Sequence, residues 1–206
     1  MNYKKHVEEL KDKGFQTSDY QVWFNKQVSC VNGPFSPIEK PRVSDALDYE
    51  CELAFVIGKS CRHVKAEDAS SVIAGYMIAN DVTVRDWQLH TPTWTIGKSF
   101  DTHGPIGPAL VTPDEIEDPH NLDIRLYVND EIRQDSNTSD MIYNCFDMIE
   151  YLSTVFTLEP GDIFATGTPE GVGTGFDPPK FLKVGDTVRC EIEGLGAIEN
   201  EVILEQ

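Results

Sequence analysis

Cysteine is sparse and scattered in this 206-residue chain: Cys30, Cys51, Cys61, Cys145 and Cys190 are odd in number and form no C-x-x-C pair. That argues against a disulfide framework and against a thiolate zinc site, and it suits a reducing compartment. No apolar run approaches the ~20 residues of a membrane span, and no signal-peptide segment follows the opening MNYKKHVEELKDK. The expected location is therefore the cytoplasm. Positive charge is scarce too: 17 Lys and Arg face 35 Asp and Glu, for a net charge of −18. A field of that sign repels phosphate backbones and anionic lipid, so nucleic acid and membrane are not the expected partners. An anionic substrate would need local positive charge within the site, from basic side chains or a metal.

What is present describes a folded chain. Hydrophobic residues make up 40% and aromatics 10%, enough for a sizeable core without disulfides. At roughly 150 residues per domain, the length predicts a single domain over 1–206. The first dozen residues read as a short helix with His6 and Glu9 at i, i+3, broken by Gly14 and the polar run through Asp19. Residues 28–41, holding three prolines, read as an irregular connection. Strand character begins at LDYECELAFVIGK. AEDASSVIAGYMIANDV reads as a short helix capped near Asp68, passing into a strand that ends near Asp81. Leu122, Ile124, Leu126 and Val128 alternate with polar residues, and Asn129-Asp130 marks a hairpin. Residues 139–156 carry an apolar stripe at helical spacing before Pro160-Gly161, and strands finish the chain. The predicted class is α+β with a strand-rich core, one long helix and several short ones.

Two carboxylates, Glu50 and Glu52, stand at i and i+2, which in a strand places them on one face about 7 Å apart. Entering an apolar run they would repel each other and resist burial. A divalent cation between them removes the conflict; a solvated strand edge removes it equally well, and spacing alone leaves both open. Asp81 ends another apolar segment, where an acid is costly unless partnered. Three acids with no cysteine or histidine form an oxygen-only set, which suits Mg2+ or Mn2+, and can take Ca2+, in preference to zinc. Lys98, in GKSFDTHGPIGPAL, sits in a tight loop and is a candidate cation for an anionic substrate; the bland alternative is a snorkelling surface lysine. Arg85 and Gln88 could bind a substrate or tie down a loop.

TGTPEGVGTG, residues 166–175, lacks both the Walker ending and the G-x-G-x-x-G spacing. Such a loop, with Thr168 among its hydroxyls, can still offer N–H groups to a carboxylate. A histidine with an acid one helical turn away, as in His6 and Glu9, can be oriented to take a proton from water. It can also be an ordinary surface pair. The pair is not H-E-x-x-H, so zinc-protease chemistry is excluded.

Together NYKKHVEE, LDYECELAFVIGK, AGYMIANDVTVRDWQ, GKSFDTHGPIGPALV and TGTPEGVG resemble, in order and over nearly the whole chain, the fumarylacetoacetate hydrolase family. EDPHNLDIRLYVNDEIRQDSNTSDMI and PPKFLKVGDTVRCEIEGLGAIENEV are most similar to the subgroup of the mammalian domain-containing protein 2 and the bacterial diketo-sugar-acid hydrolases. The resemblance implies a mixed β-roll, with a lid helix and loop over residues 1–20 and the roll over 42–206, usually as a homodimer. It implies that Glu50, Glu52 and Asp81 bind the metal, Mg2+ with Mn2+ or Ca2+ as alternatives. It assigns His6 and Glu9 to the dyad on the lid helix, Lys98 to a position near the metal, and Arg85, Gln88 and Thr168 to substrate contact in some members. Family members usually carry residues ahead of the lid motif, which here begins at Met1.

The leading expectation is Mg2+-dependent cleavage of a carbon–carbon bond in a 2,4-dioxo acid, an acylpyruvate, fumarylpyruvate-like or diketo-sugar acid. The partner would be a small anionic 2-oxo acid. His6, oriented by Glu9, would activate the water, and the leaving enolate would be stabilised by the metal and Lys98. A second reading keeps the enolate and drops the water: oxaloacetate decarboxylation or keto–enol tautomerisation. A third is a non-enzymatic, metal-dependent 2-oxo acid binding protein.

Overall fold

Alternating burial along the second half builds the more regular of two sheets. The computed structural model describes residues 1–11, 13 and 18–206; the sequence-predicted break through Gly14 lies partly outside them. In chain order the helix α1 (Lys4–Leu10) precedes strands β1 (Val31–Asn32), β2 (Ile38–Lys40), β3 (Leu47–Asp48), β4 (Cys51–Ile57), β5 (Ile73–Asn80) and β6 (Thr83–Val84). Then come α2 (Arg85–Gln88), β7 (Gly104–Val111), β8 (Asp123–Val128), β9 (Glu131–Asn137), α3 (Cys145–Val155), β10 (Ile163–Ala165), β11 (Thr187–Ile192) and β12 (Gly196–Leu204). One five-stranded sheet runs β1-β7-β5-β4-β10, a second runs β2-β12-β11-β8-β9, and β3 pairs with β6 as a separate ribbon. The α+β, strand-rich class is thus realised.

In β8, Ile124, Leu126 and Val128 are buried, and in β11 Val188, Cys190 and Ile192. Period-2 burial marks a sheet with one face on the core. The hairpin turns at Asn129, held at φ 55, a left-handed conformation that asparagine tolerates. β4 is buried at all seven positions, so both of its faces are covered. Between the sheets the Cys51 thiol meets that of Cys190. All five cysteines are free. No helix among the described residues is long and apolar enough to cross a membrane.

Local structure departs from the sequence reading in three places. Residues 66–72 form a 3-10 helix with Lys65 at its N-cap, not Asp68, and no side-chain cap. The long helix begins at Cys145 rather than near 139, because Asn144 and Asp147 close a capping box there. The segment 28–41 is not wholly irregular: β1 pairs in parallel with β7 and β2 with β12. Both strands lie ahead of residue 42, so the strand-rich core reaches back to Val31. Too short to show alternation, they are made by their partners.

The N-terminal segment is stitched across this frame. The Asn2 amide donates to the carbonyls of Tyr143 and Thr166, at 2.8 Å each, and accepts the Tyr143 N–H at 2.9 Å. Tyr3 bridges to Met141. These bonds fix the start of α1, which buries His6 and Leu10.

Candidate active site

The strand containing Glu52 and the end of β5 bring three acids together. Cys51 pairs with Asn80 and Glu52 with Ala79. Glu50 lies one residue ahead of β4, and the Asp81 N–H donates to its carbonyl at 2.9 Å. One carboxylate oxygen each from Glu50, Glu52 and Asp81 falls within 4.8 Å of the others, all three residues being buried. The cluster could hold a metal ion.

Lys98, 1% exposed, is no snorkelling surface residue. Its ammonium donates to Glu50 Oε2 at 2.7 Å and to Asp81 Oδ2 at 2.6 Å. Burial works against that charge, but Asp81 and Glu50 outweigh it and raise the lysine's pKa. Glu50 is opposed by burial as well, yet Lys98 and Arg85 hold it well below the usual carboxylate range. Glu52 is placed differently. It accepts the Gly167 N–H at 2.7 Å, and burial, followed by Asp81 and Glu50, pushes its carboxyl up to about 8. Among the described residues Glu52 is the one acid of the three that pairs with no lysine or arginine. A divalent cation would relieve its burial and fits the all-oxygen donor set.

Arg85 opens α2. Its Nε donates to Asp48 at 2.7 Å, and its Nη1 meets Glu50 Oε1 at 2.8 Å and Gln88 Oε1 at 3.1 Å. Nη2 is buried without a partner. Arg85 and Lys98 are each paired with two acids, but Arg85 keeps one nitrogen, Nη2, without a partner.

On α1 the His6 ring is held by Glu9, with Nδ1 2.9 Å from Oε2. An ionised carboxylate can only accept, so Nδ1 donates and Nε2 is the basic nitrogen. Glu9 is held in turn, its Oε1 accepting the Gly171 N–H at 2.9 Å. The glycine-rich loop addresses its N–H groups to the protein's own carboxylates: Gly167 to Glu52, Gly171 to Glu9, and Gly173 and Thr174 to Asp48. The Thr168 hydroxyl donates to the Cys51 carbonyl at 2.8 Å and accepts from Gln134 at 2.8 Å, so its single hydrogen is already used.

A cavity of about 590 Å³ is lined by His6, Glu50, Glu52, Asp81, Arg85, Gln88, Lys98 and Thr168. His6 and the three acids thus share one chamber; Glu9 stands behind His6. Trp23, Phe24, Trp94 and Phe164 line it as well, with Trp23 edge-on to Phe164 and Phe24 edge-on to Trp94.

Two residues of this site escaped the sequence reading. Lys26 donates to Asp81 Oδ1 at 2.7 Å and to the carbonyls of Val82 and Lys98; a lone lysine in FNK carries no signal. Asp48 did carry one, since D-x-E-x-E extends the i, i+2 series by one step.

Gly171 is held at φ +100, and a Cβ there would lie 1.8 Å from the Arg133 carbonyl oxygen. Gly171→Ala is expected to cost at least ~2 kcal/mol, lowering the melting temperature by roughly 5 °C or more at this chain length. Thermal unfolding checks this, and an unchanged midpoint would show that the loop can yield.

The family model described as fumarylacetoacetate (FAA) hydrolase C-terminal matches residues 1–203. Oxaloacetate tautomerase fahd2, mitochondrial, of Xenopus laevis is 49% identical over 205 residues, 98% of this chain but 63% of that protein. The chain thus spans somewhat less than two thirds of that relative. A fumarylacetoacetate hydrolase from psychrophilic Exiguobacterium antarcticum superposes with a TM-score of 0.90 at 40% identity, covering 99% of this chain and 73% of that one. A maleylpyruvate hydrolase from Sphingobium sp. SYK-6, crystallised with manganese(II) and pyruvate, gives 0.82 at 37% identity over 100% of this chain and 69% of that one.

Proposed function

Because the chain belongs to the fumarylacetoacetate hydrolase family, with residues 1–203 matched, we propose that it is a cation-dependent enzyme that moves a proton beside the carbonyl of a 2-oxo acid. Keto–enol exchange of oxaloacetate is the first reading. The observation that carries it is a histidine, His6, held by Glu9 and lining the same chamber as three converging acids. The Xenopus relative's name supports the substrate.

Glu50, Glu52 and Asp81 would hold the cation, Mg2+ or Mn2+. Bound there, it would supply Lewis-acid polarisation of a carbonyl and charge stabilisation. His6 takes the proton from the carbon next to the carbonyl and delivers it to the carbonyl oxygen, giving the enol, and the reverse transfer restores the keto form, with Glu9 fixing the tautomer. Arg85 donates from its unpartnered Nη2 to a substrate carboxylate, and Gln88 steadies that guanidinium. Lys98 keeps the Glu50 and Asp81 carboxylates in place, and Thr168 shapes the floor through its bond to Cys51.

Carbon–carbon hydrolysis of a larger 2,4-dioxo acid is the second reading, favoured by the size of the chamber and its aromatic wall, which exceed what a four-carbon acid needs. In that reaction His6 would deprotonate water instead. We further propose that the chain works as a single catalytic unit and as a homodimer. A reducing compartment suits its free thiols, whether the cytosol or the mitochondrion named for the Xenopus relative.

The test is a spectrophotometric assay of oxaloacetate enol decay, and of acylpyruvate cleavage, with Mg2+, with Mn2+ and with chelator. Cation-dependent acceleration of enol exchange supports the first reading, and cleavage of the longer acids supports the second. Tight binding of 2-oxo acids with no turnover would leave only a binding protein.

A further inference from the structure

We infer that Asp48 is a positioning residue that registers the substrate-carboxylate anchor against the base pair, through one buried carboxylate shared by Arg85 and the glycine-rich loop. The roles of Arg85 and His6 come from the reading proposed above, and the inference rests on it.

Asp48 ends β3 and is 0% exposed. Its Oδ1 accepts the N–H groups of Tyr49 at 2.9 Å and Gly173 at 2.7 Å. Its Oδ2 accepts Arg85 Nε at 2.7 Å and the Thr174 N–H at 2.9 Å. A carboxylate offers about four lone-pair sites, and here each is used. Asp48 therefore has no capacity left for a metal or a substrate, although it stands two residues from Glu50. It can act only through what it holds.

What it holds are two parts of the site, the Arg85 guanidinium and the glycine-rich loop. On one side, Arg85 Nε is fixed, which sets where Nη1 meets Glu50 and where the unpartnered Nη2 lies. On the other, Gly173 and Thr174 are fixed two and three residues beyond Gly171, whose N–H orients Glu9. Glu9 in turn orients His6. The anchor sits on α2 and the base on α1, far apart in the chain, and this network joins them. A donor-saturated acid is also intolerant of its amide. In Asp48→Asn one oxygen becomes an NH2 group, which faces two N–H donors and releases either the Tyr49–Gly173 pair or the Arg85–Thr174 pair.

The experiment compares wild type, Asp48→Asn and Arg85→Lys, each metal-loaded, by three readouts. Asp48→Asn should lower kcat/KM on the accepted 2-oxo acid by about 10- to 100-fold, as loss of an orienting partner does, with KM raised and kcat lowered together. Amide exchange at Gly171, Gly173 and Thr174 should accelerate in Asp48→Asn, and at Gly173 and Thr174 in Arg85→Lys as well, because Arg85 and the loop share one acceptor. Pyruvate should bind Asp48→Asn at least several-fold more weakly. A loss of kcat/KM with loop exchange unchanged would overturn the inference, making Asp48 a support for Arg85 alone. Should wild type turn over no 2-oxo acid, the proposed function fails, while exchange and pyruvate binding still judge the coupling. Should Asp48→Asn not fold, Arg85→Lys carries the exchange measurement, and loop protection equal to wild type overturns the coupling.

Discussion

Glu52→Gln is expected to stabilise the metal-free protein while removing the proposed cation-dependent turnover. Glu52 is 3% exposed and accepts one backbone N–H, from Gly167. No lysine or arginine forms an ion pair with it among the described residues, whereas Glu50 has Lys98 and Arg85. Burial and its acidic neighbours raise its carboxyl from 4.5 to about 8. Between those values the folded chain binds more protons than the unfolded chain, so this group's contribution falls as pH rises through that window. Below 4.5 the penalty vanishes. At pH 7 it amounts to at most about 3 kcal/mol. Glutamine offers the same Gly167 N–H a carbonyl oxygen and carries no charge. The metal-free variant should therefore melt roughly 5 °C above wild type near neutral pH and match it near pH 4. Turnover should drop by about 10³-fold, and Mg2+ should no longer raise the melting temperature. A variant less stable than wild type at pH 7, or one whose melting still responds to Mg2+, would remove Glu52 from the proposed cation site.

His6→Asn should separate the chemistry from the fold. The ring's hydrogen-bond partner is Glu9, which the Gly171 N–H still holds when the histidine is gone. Stability should therefore change by no more than ~1 kcal/mol, and cation binding should be retained. Enol exchange and carbon–carbon hydrolysis both need a positioned base, and each should fall by about 10²- to 10⁴-fold. Decarboxylation of oxaloacetate needs no proton removed by the protein, so it should lose less than roughly tenfold by the same reasoning. Parallel assays of the three reactions on one preparation check this. Unaltered enol exchange in His6→Asn would refute the base role of the dyad.

The strand-rich class and the motif residues were legible early, for different reasons. Ile124, Leu126 and Val128 alternate because one face of β8 meets the core, and that period survives in any sheet that buries one face. Glu50, Glu52 and Asp81 stood out because acids inside apolar runs are costly to bury alone. The edge strands β1 and β2 were not legible, since two or three residues cannot display a period and their pairing is set by β7 and β12. The start of α3 was set six residues later than the sequence indicated, by a side-chain cap at Asn144.

From its residues alone, the chain determined what kinds of groups it would bring to the site: oxygen donors without thiolates, a histidine one turn from an acid, and a shortage of positive charge. Tertiary structure decided how those groups are paired. Lys98 is spent on Glu50 and Asp81, Arg85 keeps an unpartnered nitrogen, and the loop's N–H groups serve Glu9, Glu52 and Asp48. The reason is range. Local pattern reflects the cost of burying each side chain, which neighbours in sequence reveal. Hydrogen-bond partners of a buried charge come from wherever the sheets bring the chain back, and Asp48 draws two of its four donors from 125 and 126 residues away.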